Sequence, residues 1–387
     1  MAKKKKKSAK KKFSKIIYAI FTIILITFII ICYFNPELYN KIIGFLNPDE
    51  QGDDYTEQTT VYVNELDDAV IHFIDVGQAD CIFIELPDGY TVLIDSGDNR
   101  TNYNQKVVSY IENLNYSYID LLIATHTDLD HIGGMDDIFE NFDVRTVYRP
   151  AVEYIGDHYS FNASFNKVFD GKDCSTKAYG KFLNFINDET FKLNNQTYNT
   201  TWKFFNKDTD IERTVVYNDT NYVYKFDFLT PTAKVDDIKY SDANDYSPII
   251  MFEYQNRKIM FTGDAEEVVE EELLTYYTKD MLDVDLLKVG HHGSDSSSSQ
   301  NFINAVKPEF AVISCGEGND YYHPHKATLD KYKYYQLNSS PSFNLFRTDN
   351  NGNIVFTINS KAVLNNNLNY SLEKTDCSNN FVAPTAR

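Results

Sequence analysis

The sequence predicts an α/β domain built of two sheets flanked by helices, carried behind a single membrane-crossing helix. From Ala69 onward, short apolar runs bounded by turn residues alternate with segments of helical spacing. Aromatic side chains are abundant, 29 Tyr and 27 Phe, which suits a strand-rich core. An uncharged run of 19 residues follows a lysine-rich head.

The amino-terminal elements come first. Residues 1–15 hold nine Lys and no acid. Ile16–Phe34 reads IIYAIFTIILITFIIICYF, long enough as a helix to cross a bilayer core of roughly 30 Å. The lysines precede it and acidic residues follow, so the positive-inside rule places the head in the cytoplasm and the rest outside the cell membrane. A cleaved signal peptide would have a shorter apolar region and a small-residue cleavage site, whereas this run ends in CYFNPELYN. The expected organisation is a basic cytoplasmic head over 1–15 and an anchor over 16–34. A polar, acidic linker over 35–68 and a folded domain over 69–387 follow.

Within that domain AVIHFIDV, CIFIEL and TVLIDSG read as three strands joined by tight turns, one of them Pro87-Asp88-Gly89. Residues 103–114 have helical spacing, and IDLLIAT at 119–125 is a buried strand. YSPIIMFEY and RKIMFTGD form a hairpin, and AEEVVEEELLTYY an acidic-faced helix. VDLLKVG, EFAVISCG and NIVFTI are further strands. Residues 151–220, rich in Asn, Tyr, Phe, Asp and Lys, break this rhythm and read as an insertion. Residues 359–387 read as an irregular tail.

Charge and cysteine content bound the function. The chain carries −19, and its most basic stretch is the head, so the body is strongly acidic. Such a body repels polyanions at long range and argues against non-specific nucleic-acid binding. The five Cys show no C-x-x-C or zinc-finger spacing; Cys174 and Cys377 could pair in an oxidising compartment.

The chemistry concentrates at THTDLDHIGG, residues 125–134. His126, Asp128, Asp130 and His131 fall within six residues, after a buried strand and before a Gly-Gly helix start. Imidazole and carboxylate both ligate transition metals. Crowded on one loop, these groups would repel and desolvate badly without a cation.

This cluster resembles the H-x-H-x-D-H metal loop of the metallo-β-lactamase superfamily, with Asp128 standing for the middle His. Asp264 in FTGD resembles that family's bridging aspartate, and His291 and His292 in VGHHGS its last metal motif. FIDVGQAD (73–80), LIDSG (93–97), HHGS and YHPH (322–325) together resemble the extracellular hydrolase domain of ComEC/Rec2-type competence proteins over roughly residues 69–358. In the competence proteins the first motif usually has Gly where this chain has Ala79, and those channels have many transmembrane helices where this chain has one.

The resemblance implies an αββα sandwich of two mixed sheets and a two-metal hydrolase. His126 and Asp128 would hold the first metal, Asp130 and His131 the second, with Asp264 bridging. One of His291 and His292 would complete the second site: His292 is taken as the ligand, and His291 as a phosphate contact or proton donor. A further ligand for the first metal would come from Asn244, Asp245 or His158. Asp128 adds a harder oxygen ligand, so Mn²⁺ is plausible beside Zn²⁺. Two such cations would acidify a bridging water, with Asp130 orienting the resulting hydroxide. His323 and His325, flanking Pro324, would bind substrate, with a simple helix entry as the alternative.

The implied reaction is phosphodiester hydrolysis, on a small molecule, a surface polymer or DNA. The bilayer is the other partner, through residues 16–34. A lactone or β-lactam hydrolase is the alternative chemistry, and a non-catalytic, membrane-tethered metal-binding module the alternative class.

Overall fold

The computed structural model describes residues 55–152, 177–188, 190–193, 196–362, 367–375 and 380–384. The expected head and anchor, with Cys174, Cys377 and His158, lie outside them. Among the described residues no helix is long and apolar enough to cross a membrane.

Two eight-stranded mixed sheets form the domain. The first runs in the order β18 (Leu368–Leu372), β17 (Ile354–Ile358), β2 (Ala69–Phe73), β3 (Ile82–Glu85), β4 (Thr91–Ile94), β5 (Tyr118–Ile123), β6 (Asp143–Arg149), β9 (Thr201–Phe204). The second runs β1 (Tyr55–Tyr62), β10 (Thr209–Tyr217), β11 (Thr220–Phe228), β12 (Ile250–Tyr254), β13 (Arg257–Phe261), β14 (Leu286–Lys288), β15 (Phe310–Ile313), β16 (Asn344–Arg347). A separate hairpin joins β7 (Thr190–Leu193) to β8 (Gln196–Asn199).

The sheets meet face to face. One apolar cluster draws Ile71, Phe73, Val92 and Ile123 from the first sheet and Phe226, Phe252, Ile259 and Phe346 from the second. Each side chain of this size removed from water stabilises the fold by roughly 1.5–3 kcal/mol. Helices cover the outer faces. On the first sheet α1 (Thr101–Asn113), α2 (Leu129–Ile132), α3 (Met135–Asn141) and α4 (Lys177–Asp188) bury Ile111, Ile132, Phe139 and Phe182. On the second, α5 (Glu267–Tyr276), α6 (Lys279–Leu282), α7 (Gln300–Val306) and α8 (Lys326–Asn338) bury Leu273, Leu282, Phe302 and Tyr332. Central strands such as β5 and β14 are covered on both faces, so they read as continuous apolar runs.

Three expected boundaries need correction. The folded domain begins at β1, inside the expected linker: Tyr55–Tyr62 pairs in parallel with β10, and Leu66 is buried. An edge strand faces water along much of its length, so polar YTEQTTVY carries no apolar signature. The supposed insertion supplies both sheets, since β9 pairs with β6 and β10 with β1 and β11. The supposed tail supplies an edge, β18 on β17.

Candidate metal centre

The site sits where parallel strands end together. β4 and β5 run in parallel in the first sheet; β13, β14 and β15 run in parallel in the second. The loops after them carry Asp95, the 125–131 segment, Asp264, the His291-His292 pair and Ser314. Backbone N–H and C=O groups at such ends leave the ladder, which frees the loops to aim side chains inward.

Gly263 shows how tight the packing is. It has φ +48°, and a Cβ there would meet the Cβ atoms of Ser247 and Thr125 at 3.0 Å. Only glycine takes that bend at no steric cost. The bend turns Asp264 inward, its N–H donating to Ser247 Oγ at 3.0 Å.

Three buried imidazoles are each held from behind. His131 Nδ1 donates to Asp95 Oδ2 at 2.7 Å, and Asp95 also accepts from the Thr125 N–H and hydroxyl at 2.8 and 2.7 Å. His292 Nδ1 lies 2.9 Å from the Ser314 carbonyl, which can only accept, so Nδ1 carries the proton. His126 Nδ1 lies between Thr125 Oγ1 at 3.1 Å and Ser247 Oγ at 3.2 Å. Each arrangement turns Nε2 toward the centre, as ligand histidines are normally oriented.

What Nε2 meets there is the test of a metal site. His126 Nε2, His131 Nε2, His292 Nε2 and Asp264 Oδ1 are buried with no hydrogen-bond partner. They lie at contact distance without bonding geometry: His131 Nε2 is 3.3 Å from Asp264 Oδ1, and His292 Nε2 is 3.4 Å from Asp264 Oδ2 and 3.3 Å from Asp130 Oδ2. A buried polar atom without a partner costs roughly 1–3 kcal/mol, so four converging ones call for a shared cation. Donor atoms of His126, His131 and Asp264 lie within 4.8 Å of one another, as do those of Asp130, His131 and His292. The groups share His131, and Asp264 touches both. Nitrogen and carboxylate donors of this kind fit Zn²⁺ or Mn²⁺.

Burial opposes charge on His131 and His292, but the carboxylates facing them, Asp264 foremost, raise both pKa values. Burial pushes the His126 pKa down to about 4, helped by His131, leaving a neutral ligand. Burial opposes charge on Asp264, yet His292 and His131 outweigh it and hold the carboxyl well below the usual range. Burial likewise opposes charge on Asp130, but the close approach of His292 and the attraction of His131 win and lower its pKa. At Asp128 the balance reverses: burial and Asp130 outweigh the attraction of His131 and raise its pKa. It stands before α2, its carbonyl accepting from the His131 and Ile132 N–H groups, and it enters none of the ligand groupings.

His291 and His292 leave the chain differently. Both are left-handed, at φ 45° and 49°, and their ring planes stand 66° apart. His292 is buried within the cluster. His291 is partly exposed; Nδ1 is 3.0 Å from Glu266 Oε1, and Nε2 is 3.7 Å from Asp264 Oδ2. His323 is buried, its ring 5.3 Å from that of His291. His325 turns away: Nδ1 accepts from the Asp295 N–H at 3.0 Å and Nε2 donates to the Tyr321 carbonyl at 3.1 Å. Of the candidate extra ligands, Asn244 donates to Glu266 at 3.3 Å, and Asp245 is buried on the 244–246 turn outside the ligand groupings.

Residues 74–199 match the metallo-β-lactamase superfamily. That stretch runs from the end of β2 to the end of β8 and contains the 125–131 loop. The chain is 27% identical over 301 residues to ComE operon protein 3 of Bacillus subtilis (strain 168), covering 74% of this chain and 32% of that protein. It is 34% identical over 131 residues to competence protein ComA of Neisseria gonorrhoeae, covering 34% of this chain and 17% of that one. Recombination protein 2 of Haemophilus influenzae matches at 31% over 93 residues, 24% of this chain and 11% of that one. The chain thus spans about a third or less of the length of these relatives.

Two residues at the site escaped the motif reading. Lys288 is fully buried; Nζ lies 2.5 Å from Asp80 Oδ2 and donates to the Val289 and Gly263 carbonyls at 2.9 and 3.2 Å. One cation thereby joins the β2–β3 turn to two strand ends of the other sheet. Removing one partner of such a pair typically costs about 3–5 kcal/mol. Its signal was a lysine inside the apolar run LLKV. Glu266 backs His291, and its signal was an acid two residues after the TGD aspartate.

Proposed function

We propose that this domain is a two-metal phosphodiesterase displayed outside the cell membrane, on an anchor formed by residues 16–34. The observation that carries the reading is the convergence of three orphaned Nε2 atoms on Asp264, with a partly exposed histidine backed by Glu266 beside them. His126 and Asp128 would hold the first cation, Asp130, His131 and His292 the second, with Asp264 between them; Asp128 is assigned by its place in the motif. Divalent cations there would supply Lewis acidity toward a phosphoryl oxygen and lower the pKa of a water.

The chain's own residues do the rest. Asp130 orients the attacking water. His291, protonated and hydrogen-bonded through Nδ1 to Glu266, donates its Nε2 proton to the leaving oxygen as the phosphorus–oxygen bond breaks. His323 faces a phosphoryl oxygen. His325 would act on substrate through the loop it fastens.

The adjoining cleft, about 590 Å³, is lined by Asp75, Asp98, Asp130, Glu317 and Asp320 among others, with Arg100 and Lys374. A polyanion entering there meets mainly carboxylates, which favours small or surface-linked phosphodiesters over DNA. Relatives named for competence and recombination keep ComEC-like nuclease action as the second reading.

The test is turnover of bis(4-nitrophenyl) phosphate by the full-length protein with added Mn²⁺ or Zn²⁺, beside linear DNA and a lactone. Metal-dependent release of nitrophenol, abolished in Asp264→Ala, is expected. Lactone turnover without phosphodiester turnover would overturn the reading, and metal binding with no turnover would make the domain a binding module.

A further inference from the structure

Gln78 lies in the turn after β2 and His323 some 245 residues later, yet their side chains meet inside the protein. Both residues are buried, at 8% and 5% exposure. The Gly316 N–H donates to Gln78 Oε1 at 3.1 Å. A backbone N–H can only donate, so this contact decides which end of the amide is oxygen. The amino end then faces His323 Nδ1, at 3.3 Å. That group can only donate, so Nδ1 must present its lone pair and the ring proton resides on Nε2.

We infer that Gln78 is a positioning residue for His323, holding the imidazole as the Nε2–H tautomer so that it offers a neutral hydrogen bond to an anionic substrate oxygen. The surroundings fix both partners. A Cβ on Gly316 would approach the Gln78 nitrogen to 2.5 Å and the Gly77 carbonyl carbon to 2.9 Å, so the two backbones lie flat against each other. Asn319 bonds the His323 backbone twice, donating to its carbonyl at 2.6 Å and accepting its N–H at 2.9 Å. The ring is 5.3 Å from His291 and 6.3 Å from His292. Among the described residues nothing takes Nε2. Burial, then the neighbouring His292 and His291, lower the ring's pKa to about 3, in keeping with a neutral donor. A neutral donor binds an anionic oxygen without adding a cation beside the ligand histidines. The oxygen's identity as phosphoryl rests on the proposed function; the tautomer does not.

The full-length protein labelled with ¹⁵N-histidine gives the test, by long-range ¹H–¹⁵N correlation, with His323 assigned from the signal lost in His323→Gln. The expected native pattern is a proton-bearing Nε2 and a bare Nδ1. Gln78→Glu keeps an oxygen for the Gly316 N–H but turns the donor facing Nδ1 into an acceptor. The proton should then move to Nδ1, with turnover of the aryl phosphodiester down ~10²-fold, the size of effect typical for one lost oxyanion donor, at unchanged metal content. A native proton on Nδ1 overturns the inference, and that spectrum decides alone if the variant does not fold. So does an Nε2 still protonated in Gln78→Glu. If the tautomer behaves as expected while neither protein hydrolyses phosphodiesters, the positioning stands and the proposed function falls.

Discussion

His291 and His292 adjoin in sequence, yet the left-handed backbone at both points one ring into the cluster and the other toward its mouth. Two non-glycine residues in that region cost roughly 1–2 kcal/mol each, strain that proteins tend to keep where function needs it. Their alanine variants should therefore differ in kind. His292→Ala removes a buried nitrogen of the proposed second site; metal affinity should fall, and excess metal should restore part of the turnover. His291→Ala should keep its metal and lose ~10²–10⁴-fold in rate on an alkyl phosphodiester, as loss of a general acid does. A nitrophenyl ester, whose leaving group needs no proton, should lose much less. Metal titration with turnover on both esters checks this; loss of metal in His291→Ala with retention in His292→Ala would exchange the two roles. At this scale the loop was legible because its groups are local in sequence, and three of them, His126, Asp130 and His131, converge in the fold. The contacts behind them were not: that Asp95 reaches His131 across 36 positions, and Lys288 reaches Asp80 from the other sheet, is written nowhere in the local sequence.

The serine-rich segment after His292 is held by two helices. Glu270 of α5 accepts the Ser298 and Ser299 N–H groups at 2.5 and 2.8 Å. From α8, Thr328 donates to the Ser294 carbonyl at 2.7 Å and Lys331 to the Ser297 carbonyl at 3.1 Å. Burial raises the Glu270 carboxyl to about 7, against an ordinary 4.5, although those two N–H groups pull it down. The folded state therefore holds this proton more tightly than the unfolded chain does. Its contribution to stability is full below pH ~4.5, falls as pH rises to ~7, and is flat above, a span of roughly 3 kcal/mol at most. Denaturant unfolding from pH 4.5 to 7.5 should show the native protein losing stability relative to Glu270→Gln across that window. A native-to-variant difference that does not change with pH would reject the assignment. Here the sequence showed an acidic-faced helix, while the folded chain shows one of those acids buried as the anchor of the histidine loop. Helical spacing gives the face a residue occupies only when the neighbours are known.

Over the whole molecule, charge separates the lysines of residues 1–15 from an acidic remainder. With the uncharged run at 16–34 this motivates a single pass with the head in the cytoplasm and the domain outside. Protease added to intact cells should digest the domain, and full protection until lysis would reject that orientation. Two metal equivalents per chain are expected at saturation by elemental mass spectrometry. Asp264→Ala should lower occupancy of both sites, because that carboxylate approaches both His131 and His292. Two tightly held metals in that variant would show that Asp264 does not bridge.

What could be read from residues alone is whatever the chain writes locally. Strand ends followed by His and Asp clusters, and the order of those motifs, point to two sheets and a metal centre. The alternation and continuity of apolar runs located most of the central strands. Edges left no such record. β1, β9 and β18 carry polar or mixed residues because each borders only one neighbouring strand, so their membership rests on pairing with β10, β6 and β17. The same holds at the site. Which nitrogen of His131, His292 or His323 carries a proton is set by Asp95, Ser314 and Gln78. Hydrogen-bond partners distant in sequence are brought within reach only when both sheets have closed, and so the chemistry of each ring was decided by tertiary structure.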